Sequence, residues 1–223
     1  MCGRVNVSDH PGVQQLLDFL DIPLYPDKFV SRYNIAPSAQ LFSAFRHQQA
    51  FQGAFMEWGI LPNWAKPDKF PRPLINARSE TVWEKPSFRN LIKSQRIIIP
   101  INGFYEWRRN KGQKTAHHIH ANNQSALALA GLYQISKEGN MQCCIITTSA
   151  NKKMSDVHDR MPVILEPDNY TDWIMSNDKN LLDSLMIPCP NQSIVIDPVS
   201  TYVNNASNDG PLCLQKSAQN SLF

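Results

Sequence analysis

The first residues of the chain could place two nucleophiles on one residue. The sequence begins Met1-Cys2-Gly3-Arg4, and removal of Met1 would leave Cys2 with both a free α-amine and a thiol. Because an α-amine titrates near pH ~8 and a thiol near ~8.5, a useful fraction of each is nucleophilic at neutral pH. Such an aminothiol can attack an acyl carbon through sulfur, or it can trap an aldehyde as an imine that the thiol closes to a thiazolidine. The alternative is that Cys2 only follows the initiator, but Gly3 permits close approach of a ligand and Arg4 can hold an anion.

A carboxyl group among aromatic residues is a second candidate for chemistry. Glu106 lies in the run Gly-Phe-Tyr-Glu-Trp at residues 103–107. In a strand, Glu106 would share one face with Phe104 and Arg108, and the other two aromatic residues would take the opposite face. Loss of hydration among aromatic rings raises the pKa of a carboxyl group and suits it to general acid or base catalysis. An exposed Glu106 paired with Arg108 is the alternative.

Two polar segments each combine an arginine with a side chain that can orient a substrate or move a proton. His158 and Arg160 lie in a polar loop before an apolar run. Histidine shuttles protons near neutral pH, although a turn histidine bonded to neighbouring backbone is the alternative.

The second of these segments contains Asn76, which precedes Arg78 by two residues. The amide can orient a carbonyl or imine and the guanidinium can clamp a phosphate, whereas helix capping by Asn76 or Ser79 explains the same residues equally well.

Two further clusters have ordinary structural explanations beside the functional ones. Trp58 and Trp64 flank a Gly-Ile-Leu-Pro-Asn turn. Exposed aromatic rings can stack on nucleic-acid bases, but burial is commoner and we expect it of at least one of the two. His117, His118 and His120 could suggest a metal site. Their neighbours are polar and no cysteine or carboxylate cluster stands near, so an exposed strand or loop is the favoured interpretation.

Length and composition limit the class of protein. With 223 residues, 42% hydrophobic content and 16 prolines, the chain predicts one large globular, loop-rich domain, with or without a tail. A net charge of +3 permits a local phosphate-binding groove without requiring one. No signal-peptide pattern opens the chain, and its apolar runs are too short to span a bilayer. The five cysteines are odd in number and lack metal-ligand spacing, which indicates a reducing cytosol.

The pattern of elements indicates an α+β fold dominated by antiparallel strands. Ser8 or Asp9 can cap a helix with Pro11 in its first turn, and an apolar stripe at helical spacing follows. That stripe consists of Val13, Leu16, Leu17 and Leu20. The sequence predicts strands at 96–101, 103–108, 126–134, 141–148 and 193–196, and helices at 86–94, 168–175 and 180–186. Short strands separated by turn signals favour an antiparallel sheet or barrel. From residue 204 onward the abundance of Asn and Ser predicts a frayed tail.

Seven short motifs occur in a fixed order between residue 2 and about residue 165, with a looser match through residues 199–205. They are Cys2-Gly3-Arg4, Arg32-Tyr33-Asn34-Ile35-Ala36-Pro37, Trp58-Gly59-Ile60-Leu61-Pro62, Asn76-Ala77-Arg78-Ser79-Glu80, Gly103-Phe104-Tyr105-Glu106-Trp107, Thr147-Thr148-Ser149-Ala150-Asn151 and His158-Asp159-Arg160-Met161-Pro162. As an ordered set they resemble the SRAP (SOS-response-associated peptidase) family, whose members sense abasic sites in single-stranded DNA. Val5 stands where an aromatic residue is expected after Arg4, which affects only a packing detail.

The resemblance implies a mechanism and the residues that carry it. After Met1 is removed, by the protein itself or by an aminopeptidase, Cys2 would condense with the ring-opened aldehyde of an abasic deoxyribose to form a thiazolidine crosslink. Asn76 would orient the amine or the sugar, Glu106 would move protons during imine formation and ring closure, and His158 would assist ring opening and reversal at the sugar oxygen. The implied DNA contacts are Arg4, Arg78 and Arg160 at phosphates, Asn34, Thr147 and Thr148 along the pocket, and Trp58 at the flanking bases.

The resemblance also bears on architecture and surroundings. It implies a barrel-like central sheet with peripheral helices, and we expect a single domain over residues 1–205 followed by a loosely ordered tail over 206–223. A thiolate, an amine, a carboxylate and an imidazole suffice for the chemistry, so no metal or nucleotide cofactor is expected. The expected partner is single-stranded DNA that contains abasic sites. We expect no membrane association and a monomer in the cytoplasm, associated with the nucleoid through DNA.

Two rival interpretations stay open at this point. Glutamine amidotransferases also start with Met-Cys-Gly and use the N-terminal cysteine to attack an amide, but the further glutamine-pocket motifs and a following synthetase domain are not found. Glutaminase activity would discriminate this class. The second rival is a non-covalent single-strand binding module in which Cys2 is incidental. It predicts binding that ignores the lesion and is lost with salt.

Overall fold

The computed structural model describes residues 2–8, 11–23, 30–48, 50–65, 72–110, 112–123 and 125–217. The strands are β1 (Val5–Val7), β2 (Arg32–Ile35), β3 (Gln40–His47), β4 (Ala50–Trp58), β5 (Asn76–Arg78), β6 (Arg96–Ile101), β7 (Gly103–Asn110), β8 (Gln113–Ala121), β9 (Leu127–Ile135), β10 (Met141–Ser149), β11 (Arg160–Pro162), β12 (Ile164–Leu165) and β13 (Ile194–Pro198). The α-helices are α1 (Pro11–Phe19), α2 (Leu91–Ser94), α3 (Tyr170–Met175) and α4 (Lys179–Leu185). Within these residues no helix has the length and apolar character needed to cross a membrane.

Two sheets organise these strands. The first sheet has the order β13-β8-β7-β1-β2. In the second, β10 pairs with both β4 and β9, and β3 and β6 connect those two strands, so the strands form a closed ring. Most pairs are antiparallel, as predicted, but β10 runs parallel to β4 and to β5. The expected α+β fold with a ring-like central sheet and peripheral helices is therefore confirmed.

Successive side chains along the strands of the ring point to opposite faces, and this divides the buried interior into two cores. Every residue of β6 is buried, as expected of a strand that is covered on both faces. Ile98 faces the core that contains Leu17 of α1 and Trp173 of α3. Ile97 faces the core shared with the first sheet, which contains Phe104. We call the face of the first sheet that carries Phe104 its inner face.

The opposite, outer face of the first sheet is covered by residues 199–217. Cys213 is fully buried there, packed with Tyr105 and Val203, and Val199 forms a bridge with Lys216. The prediction of a loosely ordered tail from residue 206 is therefore corrected for residues 206–217. Few apolar side chains hold this segment, so composition alone suggested fraying. Residues 218–223 lie outside the described residues.

The predicted elements agree with the structure except at some boundaries. β6 spans the predicted range, and β7, β9, β10 and β13 differ from it by one or two residues. The stripe of α1 is buried as predicted. The helix predicted at 86–94 is an α-helix only at Leu91–Ser94 because turns occupy its first half. Of the two predicted caps of α1, Asp9 lies outside the described residues, and the Ser8 hydroxyl donates to Asn102 Oδ1 at 2.9 Å.

Candidate active site

Cys2 lies completely buried in the core shared by the two sheets. Its carbonyl oxygen accepts a hydrogen bond from Asn76 Nδ2 at 2.9 Å. Burial raises the pKa of the thiol far above its usual value, and the negative charge of Glu106 raises it further, against a smaller opposite effect from the Arg4 backbone N–H. The expectation of an appreciable thiolate fraction at neutral pH is therefore wrong for this buried state, and the thiol needs a base before it can attack.

Glu106 stands on the inner face of β7, where it is only 5% exposed. It is directly opposite His117 on β8. β7 is joined to the N-terminal segment by the Tyr105 N–H, which donates to Arg4 O at 2.9 Å. The predicted division of faces is correct, since Phe104 packs inward and Tyr105 packs under the C-terminal segment. The alternative of an exposed Glu106 is excluded by its burial.

Asn76 connects Cys2 to the second sheet. It begins β5, which runs parallel to β10 with Asn76 opposite Ile145. Its Oδ1 atom is buried and accepts no hydrogen bond from any described residue. A buried acceptor without a donor costs about 1–3 kcal/mol, so this atom is a place where a ligand or a new N–H group would be stabilised. The alternative role as a helix cap is not observed, because the 3-10 helix Ser79–Thr81 has Arg78 at its N-cap and no side-chain cap.

Of the two arginines near β10, one is held in an ion pair and the other is exposed. Arg160 on β11 makes a bidentate pair with Glu80, with distances of 2.5 Å and 3.0 Å, and also donates to Thr147 O at 2.6 Å. The Arg160 hydrogen bonds hold the pKa of Glu80 below its usual value despite partial burial. Arg78 lies opposite Thr147 in the β5–β10 pair and is exposed. Of the two, only Arg78 can meet a phosphate without first breaking an ion pair.

His158 precedes β11 and is held by its own loop. Its Nδ1 atom lies 3.0 Å from the Arg160 backbone nitrogen and 2.8 Å from Asp159 Oδ1. Its side chain is 27% exposed. This is the local backbone contact that the structural alternative predicted, and it leaves part of the ring accessible.

Four predicted DNA contacts lie in the interior. Trp58 is completely buried and donates its Nε1–H to Ile75 O at 3.0 Å. Stacking of Trp58 on bases is therefore wrong for this structure, and core burial of one of the two tryptophans is correct, since Trp64 is 57% exposed. Thr147 and Thr148 are buried in β10, and Asn34 is buried in β2. Direct contact of these side chains with DNA would require local opening.

Arg4 and Asn34 belong to the outer face of the first sheet. Arg4 donates to Asn34 Oδ1 at 2.6 Å and to Val203 O at 2.9 Å, and its guanidinium lies 5.6 Å from the centroid of the Trp107 ring. Burial lowers the pKa of Arg4. Asn34 Nδ2 donates to the carbonyls of Val203, Asn205 and Asn208. The two residues hold the C-terminal segment in this structure, and the phosphate contact of Arg4 stays a prediction.

The histidine cluster also differs from the sequence expectation. His118 is 9% exposed, and its Nε2 lies 2.8 Å from Asn6 Oδ1. This contact requires glycine at residue 103, because a Cβ there would lie 2.2 Å from His118 Nε2. Burial lowers the pKa of His118 to about 3, with His120 as the second cause. An exposed strand was the wrong expectation for His118, because the residues that cover it are distant in sequence.

Sequence reasoning also missed the role of Glu80. It appeared only as the last residue of a motif, yet it occupies the guanidinium of Arg160, 80 residues away in the chain. Only the pairing of β10 with both β5 and β11 brings the two together. A nearby arginine, Arg78, was the available local partner, and no signal in the sequence favours Arg160 over it.

Comparisons with known proteins agree with this architecture. The family described as SOS response associated peptidase (SRAP) matches residues 1–206. The chain is 36% identical to the abasic site processing protein YoqW of Bacillus subtilis, covering 95% of this chain and 97% of that protein. It is 30% identical to abasic site processing protein HMCES of Xenopus tropicalis, covering 84% of this chain and 67% of the relative. A crystal structure of a Bacteroides thetaiotaomicron protein has the same fold, with a TM-score of 0.82 and 22% identity over 97% of this chain and 100% of that one. The chain therefore belongs to the SRAP family.

Proposed function

We propose that this protein captures abasic sites in single-stranded DNA through a covalent thiazolidine at Cys2 and so shields the lesion during the response to DNA damage. Relatives named abasic site processing proteins, similar over nearly the whole chain, support this class of substrate. The observation that carries the proposal is that two polar residues from distant parts of the sequence, Asn76 and Glu106, both influence Cys2. Asn76 holds the Cys2 carbonyl, and the Glu106 charge acts on the Cys2 thiol.

The reaction begins after Met1 is lost, whether by self-processing or by an aminopeptidase. The Cys2 amine adds to the aldehyde of the ring-opened abasic sugar to give a carbinolamine. Loss of water from the carbinolamine forms the C=N bond of an imine. The Cys2 sulfur then adds to the imine carbon, its proton passes to nitrogen, and a five-membered ring closes. One molecule of water leaves overall, and no oxidant or reductant is needed.

We assign the proton transfers to Glu106 because of the environment of Cys2. A thiol with a strongly raised pKa does not ionise by itself at neutral pH, so ring closure requires a base at the sulfur. Glu106 is the carboxylate whose charge raises the pKa of that thiol. The same carboxyl group, once protonated, can help water leave the carbinolamine. Asn76 Oδ1, a buried acceptor on the amide that donates to the Cys2 carbonyl, would accept an N–H from the free Cys2 amine.

The remaining residues act on the sugar and the backbone of the DNA. His158, partly exposed beside β11, would move a proton at the sugar oxygen during ring opening and during reversal. Arg78 is the first phosphate contact because its guanidinium is exposed. Arg160 joins when a phosphate displaces Glu80.

The decisive experiment is incubation with single-stranded DNA containing one abasic site, followed by a denaturing gel. We expect a heat-resistant adduct for the wild type and little product with intact DNA. Cys2→Ala should abolish the stable adduct, while Cys189→Ala, which removes another buried cysteine, should retain it. Intact mass of the reacting preparation should show the loss of Met1. An equally stable adduct from Cys2→Ala, or a crosslinking preparation that keeps Met1, would contradict the proposal, and glutaminase activity would favour the amidotransferase class.

A further inference from the structure

The inner face of the β7–β8 hairpin continues beyond Glu106 as a polar groove that the proposed chemistry does not use. The groove has a volume of about 380 Å³ and is lined by Arg108, Asn110, Gln113, Thr115 and His117. His117 is directly opposite Glu106, and Arg108 is opposite Thr115. Because opposed residues share a face and alternate residues return to it, the lining side chains project on the same side as Glu106.

Arg108 gives this groove an anion-binding group. It lies two residues beyond Glu106 on β7, which is about 7 Å along a strand. The side chain is exposed, and it makes no hydrogen bond or ion pair with the described part of the chain. A guanidinium in this state is suited to a phosphate oxygen.

His117 gives the groove a hydrogen-bond acceptor. Its Nδ1 lies 3.1 Å from Thr115 O, and a carbonyl can only accept, so Nδ1 carries the hydrogen. Burial lowers the pKa of the His117 ring, and the charge of Arg108 lowers it further, so the ring is neutral at physiological pH. Nε2 then carries a lone pair, and no described residue donates to it. Such an atom accepts an N–H group, which a nucleobase offers and a phosphate does not.

We propose that this groove binds the nucleotide next to the abasic residue, with Arg108 at its phosphate and His117 Nε2 accepting an N–H from its base. The inference rests on the proposed function, because the abasic sugar at Cys2 and Glu106 sets which nucleotide arrives here. A groove of this size lies at the small end of ligand sites, which suits one nucleotide. Free phosphate would satisfy Arg108 alone.

The test measures binding in the Cys2→Ala background with tetrahydrofuran, which has no aldehyde, as the abasic residue, so that neither the thiazolidine nor an imine at the remaining α-amine obscures the affinity. Fluorescence anisotropy is recorded with two single-stranded probes that carry one abasic site. In one the neighbouring nucleotides are intact, and in the other tetrahydrofuran spacers remove the neighbouring bases and keep the phosphates. We expect Arg108→Ala to weaken binding of both probes about tenfold and to make the salt slope shallower by about one. His117→Ala should weaken binding only when the bases are present.

Arg109→Ala is the matched control. It removes the same charge from the next residue of β7, whose side chain projects to the outer face opposite Lys114, so its salt slope should stay close to that of the parent. His117→Gln, which retains a side-chain acceptor, should restore part of the lost affinity. Equal losses for Arg108→Ala and Arg109→Ala, or an equal effect of His117→Ala on both probes, would overturn the groove assignment. Failure of the proposed function would be seen in a different experiment, as the absence of an adduct on the denaturing gel when Cys2 is intact.

Discussion

Polar side chains on the two sides of β7 differ in how many of their hydrogen-bonding atoms have a partner. On the outer face, Asn34 has every polar side-chain atom engaged, by Arg4 and by three carbonyls of the C-terminal segment. On the side of Glu106, Asn76 makes one hydrogen bond to Cys2 and leaves a buried Oδ1 without a donor. Both asparagines lie in motifs of the family, so residue type does not distinguish them. The unused acceptor of Asn76 does, and in the proposed function it is the atom that a ligand or the free Cys2 amine would complete.

The largest effect should follow from removing the charge of Glu106, on the side of the proposed chemistry. Glu106→Gln keeps the shape of the side chain and removes its ability to take the thiol proton. We expect crosslink formation to slow by a factor of about 10² or more, the usual range for a positioned acid–base group. Rates are measured by quenched denaturing gels, with Glu138→Gln in the exposed β9–β10 turn as the control. Crosslinking at the wild-type rate would make Glu106 a structural residue.

The comparison of the two asparagines can be tested directly. Asn34→Ala removes three donations from a buried amide to carbonyls of the C-terminal segment and one of the two hydrogen bonds of Arg4, so we expect the free energy of unfolding to fall by about 3 kcal/mol. Asn76→Ala removes one hydrogen bond and an already unsatisfied acceptor, so stability should change by less than about 1 kcal/mol while crosslinking slows. Urea unfolding and crosslinking rates on the same preparations separate the two. If Asn76→Ala destabilises the fold as strongly as Asn34→Ala, the contrast between the faces is wrong.

The sequence predicted well which strand faces carry the candidate site residues. It predicted poorly which of those side chains are buried or already hydrogen-bonded. The alternation around Glu106 was enough to assign the faces of β7, because period-2 patterns are local. The burial of Trp58 and the engagement of Asn34 depend on Ile75 and on residues 203–208, and no local pattern reveals such distant partners. The Glu80–Arg160 pair has the same origin, since it needs β10 to lie between β5 and β11. The resemblance named the candidate residues, and only the structure shows which of their polar groups have partners among the described residues and which do not.

Acid should weaken the outer face through His118. Its pKa is about 3 in the folded chain and about 6.5 in an unfolded one. Between these values the unfolded chain binds more protons, so stability is fully present above pH ~6.5 and falls as the pH drops toward 3. One proton limits the slope to about 1.4 kcal/mol per pH unit. His118→Gln, which can still donate to Asn6, should flatten the pH dependence of the melting temperature between pH 7 and 4. The exposed His47→Gln should not, and equal profiles for both variants would contradict the assignment.

The smallest effects should come from the two arginines, and they refine the comparison between engaged and available groups. Arg78 is exposed, so Arg78→Ala removes a phosphate contact without disturbing the fold. DNA capture should weaken by up to about tenfold at low DNA concentration, with a salt slope shallower by about one.

Arg160 is held by Glu80 and Thr147 O, so a phosphate must displace Glu80 before it can bind Arg160, and this lowers the net gain in binding free energy. Glu80→Gln weakens that internal pair, and we expect it to strengthen DNA binding several-fold and steepen the salt slope. The same substitution in the Arg160→Ala background should have no such effect, because the released guanidinium is then absent. Titrations at several salt concentrations measure all four proteins, with the exposed Arg89→Ala as the charge control. If Glu80→Gln leaves binding unchanged, Arg160 is a structural brace for β11, and Arg78 alone remains as the phosphate contact on this side of the site.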